Sequence, residues 1–175
     1  MEIGDIFPPT SDLKMSDLLD RPNDIEYLSS NWTPTVLLKK LSDKAILPTY
    51  AHIGDAGMDL YAVDDAVIPC GETIKIPTDI AMAIPNGYVG LIYARSGLAT
   101  KQGLRPANCT GVVDAGYRGN IIVAMYNDSQ APQTIKAGDR IAQMVITPFA
   151  SCHLIEVEDL DETDRSTNGF GSSGK

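Results

Sequence analysis

The stretch ETIKIPTDIAMAI, residues 72–84, decides the fold class. Ile74, Ile76, Ile80, Met82 and Ile84 share one parity, which places them on one face of an extended segment. Further short apolar runs rich in β-branched residues follow: YVGLIYA (88–94), GNIIVAMYN (119–127) and RIAQMVITPF (140–149). Between them, IPCGE, IPNGY, DAGYRG, NDSQAP and KAGD supply the Gly, Pro, Asn and Asp that punctuate turns. From Val36 onward, with hardly any helical periodicity, the chain reads as an all-β sandwich, jelly roll or barrel. One break is SGLATKQGL, read as a short helical turn with Ser96 as N-cap and Gly103 near its stop. The N–H groups of such a helix start attract anions.

A chain of 175 residues with 43% hydrophobic content can bury one sizeable core. The cysteines Cys70, Cys109 and Cys152 are scattered, with no CxxC and two histidines in all, so a disulfide framework or structural zinc is not expected. The net charge of −9 argues against nonspecific nucleic-acid binding but leaves room for a small anion held by placed donors. No run approaches the ~18 apolar residues of a bilayer span. The acidic start MEIGDIFPPTSD lacks the basic and apolar regions of a secretory signal, so a soluble cytoplasmic protein is expected, or one of the host-cell interior if viral. Residues 1–33 read as an N-terminal extension of uncertain structure, 34–160 as the β-domain and 161–175 as a mobile C-terminal arm.

Three segments combine residues suited to chemistry, each with an ordinary alternative. ARSGLA (94–99) offers the guanidinium of Arg95, the hydroxyl of Ser96 and the close-approach backbone of Gly97, donors suited to phosphate oxygens. It also reads as a plain capped turn. GVVDAGYRG (111–119) sets Asp114 at the end of an apolar stretch with Tyr117 three residues on. Asp114 is there either to brace a β-hairpin turn or, pushed into an apolar corner, to act as a general base. NGFGSSG (168–174) is either a frayed terminus or a loop whose N–H groups wrap a polyphosphate while Phe170 covers a base. It follows EVEDLDETDR (156–165), whose six acids in ten positions suggest a linker. Asp59 in MDLYA and Gln143 in GDRIAQ read as edge or solvated residues.

Taken together and in order, AGMDLYA, ARSGLATKQGL, NCTGVVDAGYRGN, AGDRIAQ and R-x-x-NGFGSSG resemble the five signature motifs of the homotrimeric dUTP diphosphatase (dUTPase) family. The resemblance covers roughly four-fifths of the chain, from about Leu37 to the C-terminus. It implies a distorted jelly-roll β-barrel, a homotrimer with shared active sites, and Mg²⁺-assisted hydrolysis of dUTP to dUMP and pyrophosphate. Such an activity limits uracil in DNA and supplies dUMP for thymidylate synthesis. Carried over residue by residue, it implies that Asp114 activates a water for attack on the α-phosphorus. It gives Tyr117 the deoxyribose, leaving no room for a 2′-hydroxyl, and gives Asn108 a hydrogen bond to uracil. Val112, Val113 and the strand near Ile122 would form a base pocket too tight for thymine's methyl group. Arg95, Ser96 and Gly97 would hold phosphates bound to a neighbouring subunit. Arg165, Phe170, Gly171 and Ser172 would come from the tail of another, the arginine towards the terminal phosphate and the ring over uracil. No direct protein ligand to the metal is implied; Asp59 and Gln143 would reach it through water.

The motifs depart from the family pattern at Asp55, where serine is usual, at Asn168 and Ser173 in the tail, and at Gly116, where an acid is frequent. dCTP deaminases share the fold, but DAGYRG and the complete glycine-rich tail favour the diphosphatase pattern. A non-catalytic nucleotide-binding trimer is the alternative from another class.

Overall fold

The computed structural model describes residues 33–163 and 166–167. In chain order the elements are β1 (Leu37–Lys40), β2 (Met58–Tyr61), β3 (Ala66–Ile68), β4 (Thr73–Pro77), β5 (Ile80–Ala83) and β6 (Tyr88–Tyr93). The helix α1 (Ser96–Gln102) follows, then β7 (Leu104–Pro106), β8 (Gly111–Val113), β9 (Ile122–Asn127), β10 (Gln133–Ile135) and β11 (Arg140–Pro148). The all-β, jelly-roll-type expectation holds, with one short helix among the described residues. The strands pair antiparallel as β1-β5, β10-β3, β2-β11-β6-β8 and β4-β9-β7, so these four sheets do not close into one barrel.

The parity read in residues 72–84 survives, but the segment is two strands in two sheets. Ile76, Ile80, Met82 and Ile84 are buried, while Asp79 sits at φ +52 and turns the chain. Thr78 stabilises the break: its buried Oγ1 donates to the Ile121 carbonyl at 2.8 Å and accepts from the Ile80 N–H at 3.3 Å. In β5 alternation disappears, because Ala81 and Ala83 are buried as well and both faces are covered.

Leu60, Ile68, Leu104, Met125, Ile141 and Met144 lie at the centre of a single core, each worth about 1.5–3 kcal/mol of burial. Asn127 is fully buried and fully used. Its Nδ2 donates to the Ile68 and Ala131 carbonyls at 2.9 and 2.8 Å. Its Oδ1 accepts from the Ser129 N–H and hydroxyl at 2.9 and 2.7 Å, which ties the 127–133 loop to the core.

The helix start corrects one expectation. Arg95 occupies the N-cap in extended geometry, Ser96 is already helical, and no side chain caps the turn. Gly103 ends the helix at φ +67 with its N–H on the Leu98 carbonyl. A Cβ there would also fall 2.9 Å from the Ser129 backbone nitrogen. The segment 111–120 corrects another. It contains a turn, closed by the Tyr117 N–H on the Asp114 carbonyl at 3.0 Å, but no β-hairpin. β8 pairs with β6 and β9 pairs with β4 and β7, so the loop crosses between two sheets.

Candidate active site

Where that loop crosses, the sheets part to leave a cleft of about 230 Å³. Its wall includes Asn108, Val112, Val113, Asp114, Tyr117 and Ile122, all singled out from sequence, together with Ile92, Gly111, Asn120 and Ile121. Ile92, Val113 and Ile121 belong to the hydrophobic core, so the floor is rigid and apolar. β8 is the outermost strand of its sheet, and one edge of its main chain lacks a ladder partner among the described residues.

Asp114 neither braces the turn through its side chain nor sits in an apolar corner. It is exposed at the cleft, and its carboxylate has no hydrogen-bond or ion-pair partner among the described residues. The turn is held by main chain, and by Arg118, whose Nη1 donates to the carbonyls of Ala115 and Tyr117. The Tyr117 hydroxyl donates to the Asn120 carbonyl at 2.9 Å. Its ring lies over Gly119, where a Cβ would come within 2.6 Å of the ring's Cζ.

Arg95, Asp59 and Gln143 form a second cluster, none of which lines the cleft. β11 brings them together: Gln143 is the register partner of Asp59 on β2 and of Tyr93 on β6, two residues before Arg95. Asp59 is buried, not solvated, and accepts from Arg95 Nε at 2.7 Å and Arg140 Nη1 at 3.2 Å. Gln143 Nε2 donates to the Ala94 carbonyl at 2.9 Å, which steadies the approach to α1. The pairing fixes the Arg95 guanidinium beside the exposed Ser96 and Gly97. Gly97 opens onto free space, with no atom within 4 Å of a Cβ built on it. A guanidinium, a hydroxyl and an open backbone side by side are groups able to donate to an anion.

A family model described as dUTPase matches residues 43–174. The chain belongs to the dUTPase family. A deoxyuridine 5′-triphosphate nucleotidohydrolase of Nocardia farcinica is 49% identical over 138 residues, spanning 78% of this chain and 84% of the relative. A mutant dUTPase of Staphylococcus bacteriophage 80alpha, solved with dUpNHpp, has a TM-score of 0.77 at 34% identity, covering 82% of this chain and all of that one. A mutant dUTPase of S. aureus phage phi11, described with a structural Mg(II) ion, has a TM-score of 0.68 at 31% identity, covering 73% of this chain and 99% of that one. With dUTPase membership comes the reaction, hydrolysis of dUTP to dUMP.

Sequence reasoning did not single out Arg140, Asn120, Ile92, Gly111 or Ile121. Arg140 was within reach, since it lies in GDRIAQ beside Gln143. Its partner Asp59, however, is 81 residues away in the chain. Arg165, Phe170, Gly171 and Ser172 lie outside the described residues, as does the extension over residues 1–32.

Proposed function

We propose that this chain hydrolyses dUTP to dUMP and pyrophosphate, with Asp114 as the general base for a water attacking the α-phosphorus. The observation that carries this reading is the Asp114 carboxylate, without a partner among the described residues at the cleft while its main chain is pinned by the turn. A base needs a fixed backbone and free lone pairs within reach of water. Uracil enters the cleft with its polar edge on the free main-chain edge of β8 and on Asn108, and Ile122 and Val112 limit room for a 5-methyl group. Tyr117 packs against the deoxyribose and excludes a 2′-hydroxyl.

The second cluster supports shared sites. Arg95, Ser96 and Gly97 are apart from their own chain's cleft, as expected if a homotrimer sets them against the phosphates in a neighbour's. Arg165, Phe170, Gly171 and Ser172 close the site from a further subunit. The donor set fits Mg²⁺ carried by the triphosphate: both Asp59 oxygens are engaged by guanidinium groups, so Asp59, like Gln143, would reach it through water. When bound, the ion neutralises phosphate charge. No nucleic acid or membrane partner is proposed, in keeping with the net charge of −9. No helix among the described residues is long and apolar enough to cross a membrane. The proposed location is the cytoplasm, or the host-cell interior.

Pyrophosphate release from dUTP, dTTP, UTP and dCTP tests the reading, with release from dUTP alone expected. Asp114→Asn should lower kcat by about 10²–10⁴-fold, the usual range for a general base, at unchanged Tm. Undiminished turnover by that variant would overturn the role of Asp114. Ammonia from dCTP without pyrophosphate from dUTP would make the protein a deaminase.

A further inference from the structure

We infer that Asp79 and Asn120 are positioning residues that seat Tyr117 for sugar discrimination, an inference that rests on the reading of Tyr117 above. Asp79 Oδ1 accepts from Asn120 Nδ2 at 2.7 Å across 41 residues of chain, and the Asn120 carbonyl accepts from the Tyr117 hydroxyl at 2.9 Å. The next residue, Ile121, is gripped from the same side. Its N–H donates to the Ile80 carbonyl at 2.8 Å, and its carbonyl accepts from the Thr78 N–H at 3.1 Å and from Thr78 Oγ1. Residues 78–80 therefore fix the main chain on which the tyrosine hydroxyl rests. Gly119 completes the seat by leaving the space that the ring occupies.

Two observations bear on what the Asp79–Asn120 bond does. Asp79 sits at φ +52, a backbone region that favours glycine. Aspartate is among the few side chains that tolerate this region, and here its carboxylate also reaches Asn120. Second, a carboxylate only accepts, so the amide of Asn120 must turn its NH₂ to Asp79. That leaves Asn120 Oδ1 buried without a partner among the described residues. A device for stability alone would not leave an acceptor unsatisfied. The bond adds a side-chain tether to a peptide plane that the Ile121 N–H already orients against the Ile80 carbonyl, and Asn120 lines the cleft.

The test compares kcat/KM for dUTP and UTP in the full chain. Asp79→Gly removes the carboxylate where the backbone already suits glycine, so the fold should be kept at a modest cost in Tm, from the unpaired Asn120 amide and the looser unfolded chain. The dUTP-over-UTP ratio should nonetheless fall about fivefold to tenfold, the worth of one ordered hydrogen bond, mainly through a lower KM for UTP. Asp79→Asn keeps an acceptor oxygen and should restore the ratio. Asn120→Ala breaks the same bond from the other side and should match Asp79→Gly. Tyr117→Phe should lose as much, and combining it with Asp79→Gly should add nothing. A wild-type ratio in Asp79→Gly, or additive losses in the double variant, overturns the inference. Tyr117→Ala separates the two levels. If it abolishes discrimination while Asp79→Gly does not, only the positioning role fails; if it leaves discrimination intact, the reading of Tyr117 falls and this inference with it.

Discussion

Gly57→Ala isolates what Gln143 does. A Cβ on Gly57 would stand 2.6 Å from Gln143 Oε1 and 3.2 Å from its Cδ. The obstacle is the end of a flexible side chain, so Gln143 swings away and the backbone stays. The swing breaks the 2.9 Å bond from Nε2 to the Ala94 carbonyl, a net loss of about 0.5–1.5 kcal/mol. Alanine also restricts the unfolded chain, which returns about 0.4–1 kcal/mol. The two nearly cancel, so Tm should move by less than about 4 °C for a chain of this size. Activity should not be so protected. If Gln143 belongs to the polar network around the phosphates, kcat/KM for dUTP should fall about tenfold in both Gly57→Ala and Gln143→Ala. The double variant should be no worse than Gln143→Ala. Pyrophosphate release and differential scanning calorimetry on the three variants read both quantities. Full activity in Gly57→Ala beside a damaged Gln143→Ala would refute the steric chain from Cβ to side chain to site.

Gly103→Ala should behave in the opposite way. At φ +67, with a Cβ 2.9 Å from the Ser129 backbone nitrogen, it should cost about 2–3 kcal/mol, lowering Tm by about 5–10 °C in thermal unfolding while the folded fraction keeps its kcat. The exposed Lys136–Asp65 pair predicts a pH window. The Lys136 ammonium and the Ala137 N–H hold the Asp65 carboxyl below its ordinary 3.8, and Asp65 in turn holds Lys136 above its ordinary 10.5. The contribution of Asp65 is present above pH 3.8 and lost as pH falls through its lowered folded value. That of Lys136 is present below pH 10.5 and lost as pH rises through its raised one. The Tm difference between wild type and Asp65→Asn should therefore be level between pH 3.8 and 10.5, decline beyond either limit and shrink in high salt; a difference that does not decline as pH falls below 3.8 would refute the pairing.

Strand content was legible because alternation is local: Ile76, Ile80, Met82 and Ile84 are buried as their parity requires. The break at Asp79 was not, since its cause is Thr78 bonding to Ile121, 43 residues on. The same limit applies to the site. Asp114, Tyr117 and Asn108 stand close in sequence and were found together, and all line one cleft. The burial of Asp59 was hidden because an aspartate is buried only when paired, and its partners lie 36 and 81 residues away. Ser96 was misplaced by one position as a cap, because a hydroxyl at a helix start looks the same in sequence whether it precedes the first turn or belongs to it.

The floor of the cleft is made of core residues, Ile92, Val113 and Ile121, rather than of a separate lining laid over the core. If the cleft takes the nucleobase as proposed, folding and base selection draw on the same side chains. A substitution that repacks the interior here would then change the shape offered to the nucleobase, even when it is far from any polar contact. Drift in thermal stability and drift in substrate choice should accordingly be correlated at these three positions. The arginine cluster carries a coupling of its own: Asp59 is buried against Arg95 and Arg140, so replacing either arginine leaves a buried carboxylate short of a partner.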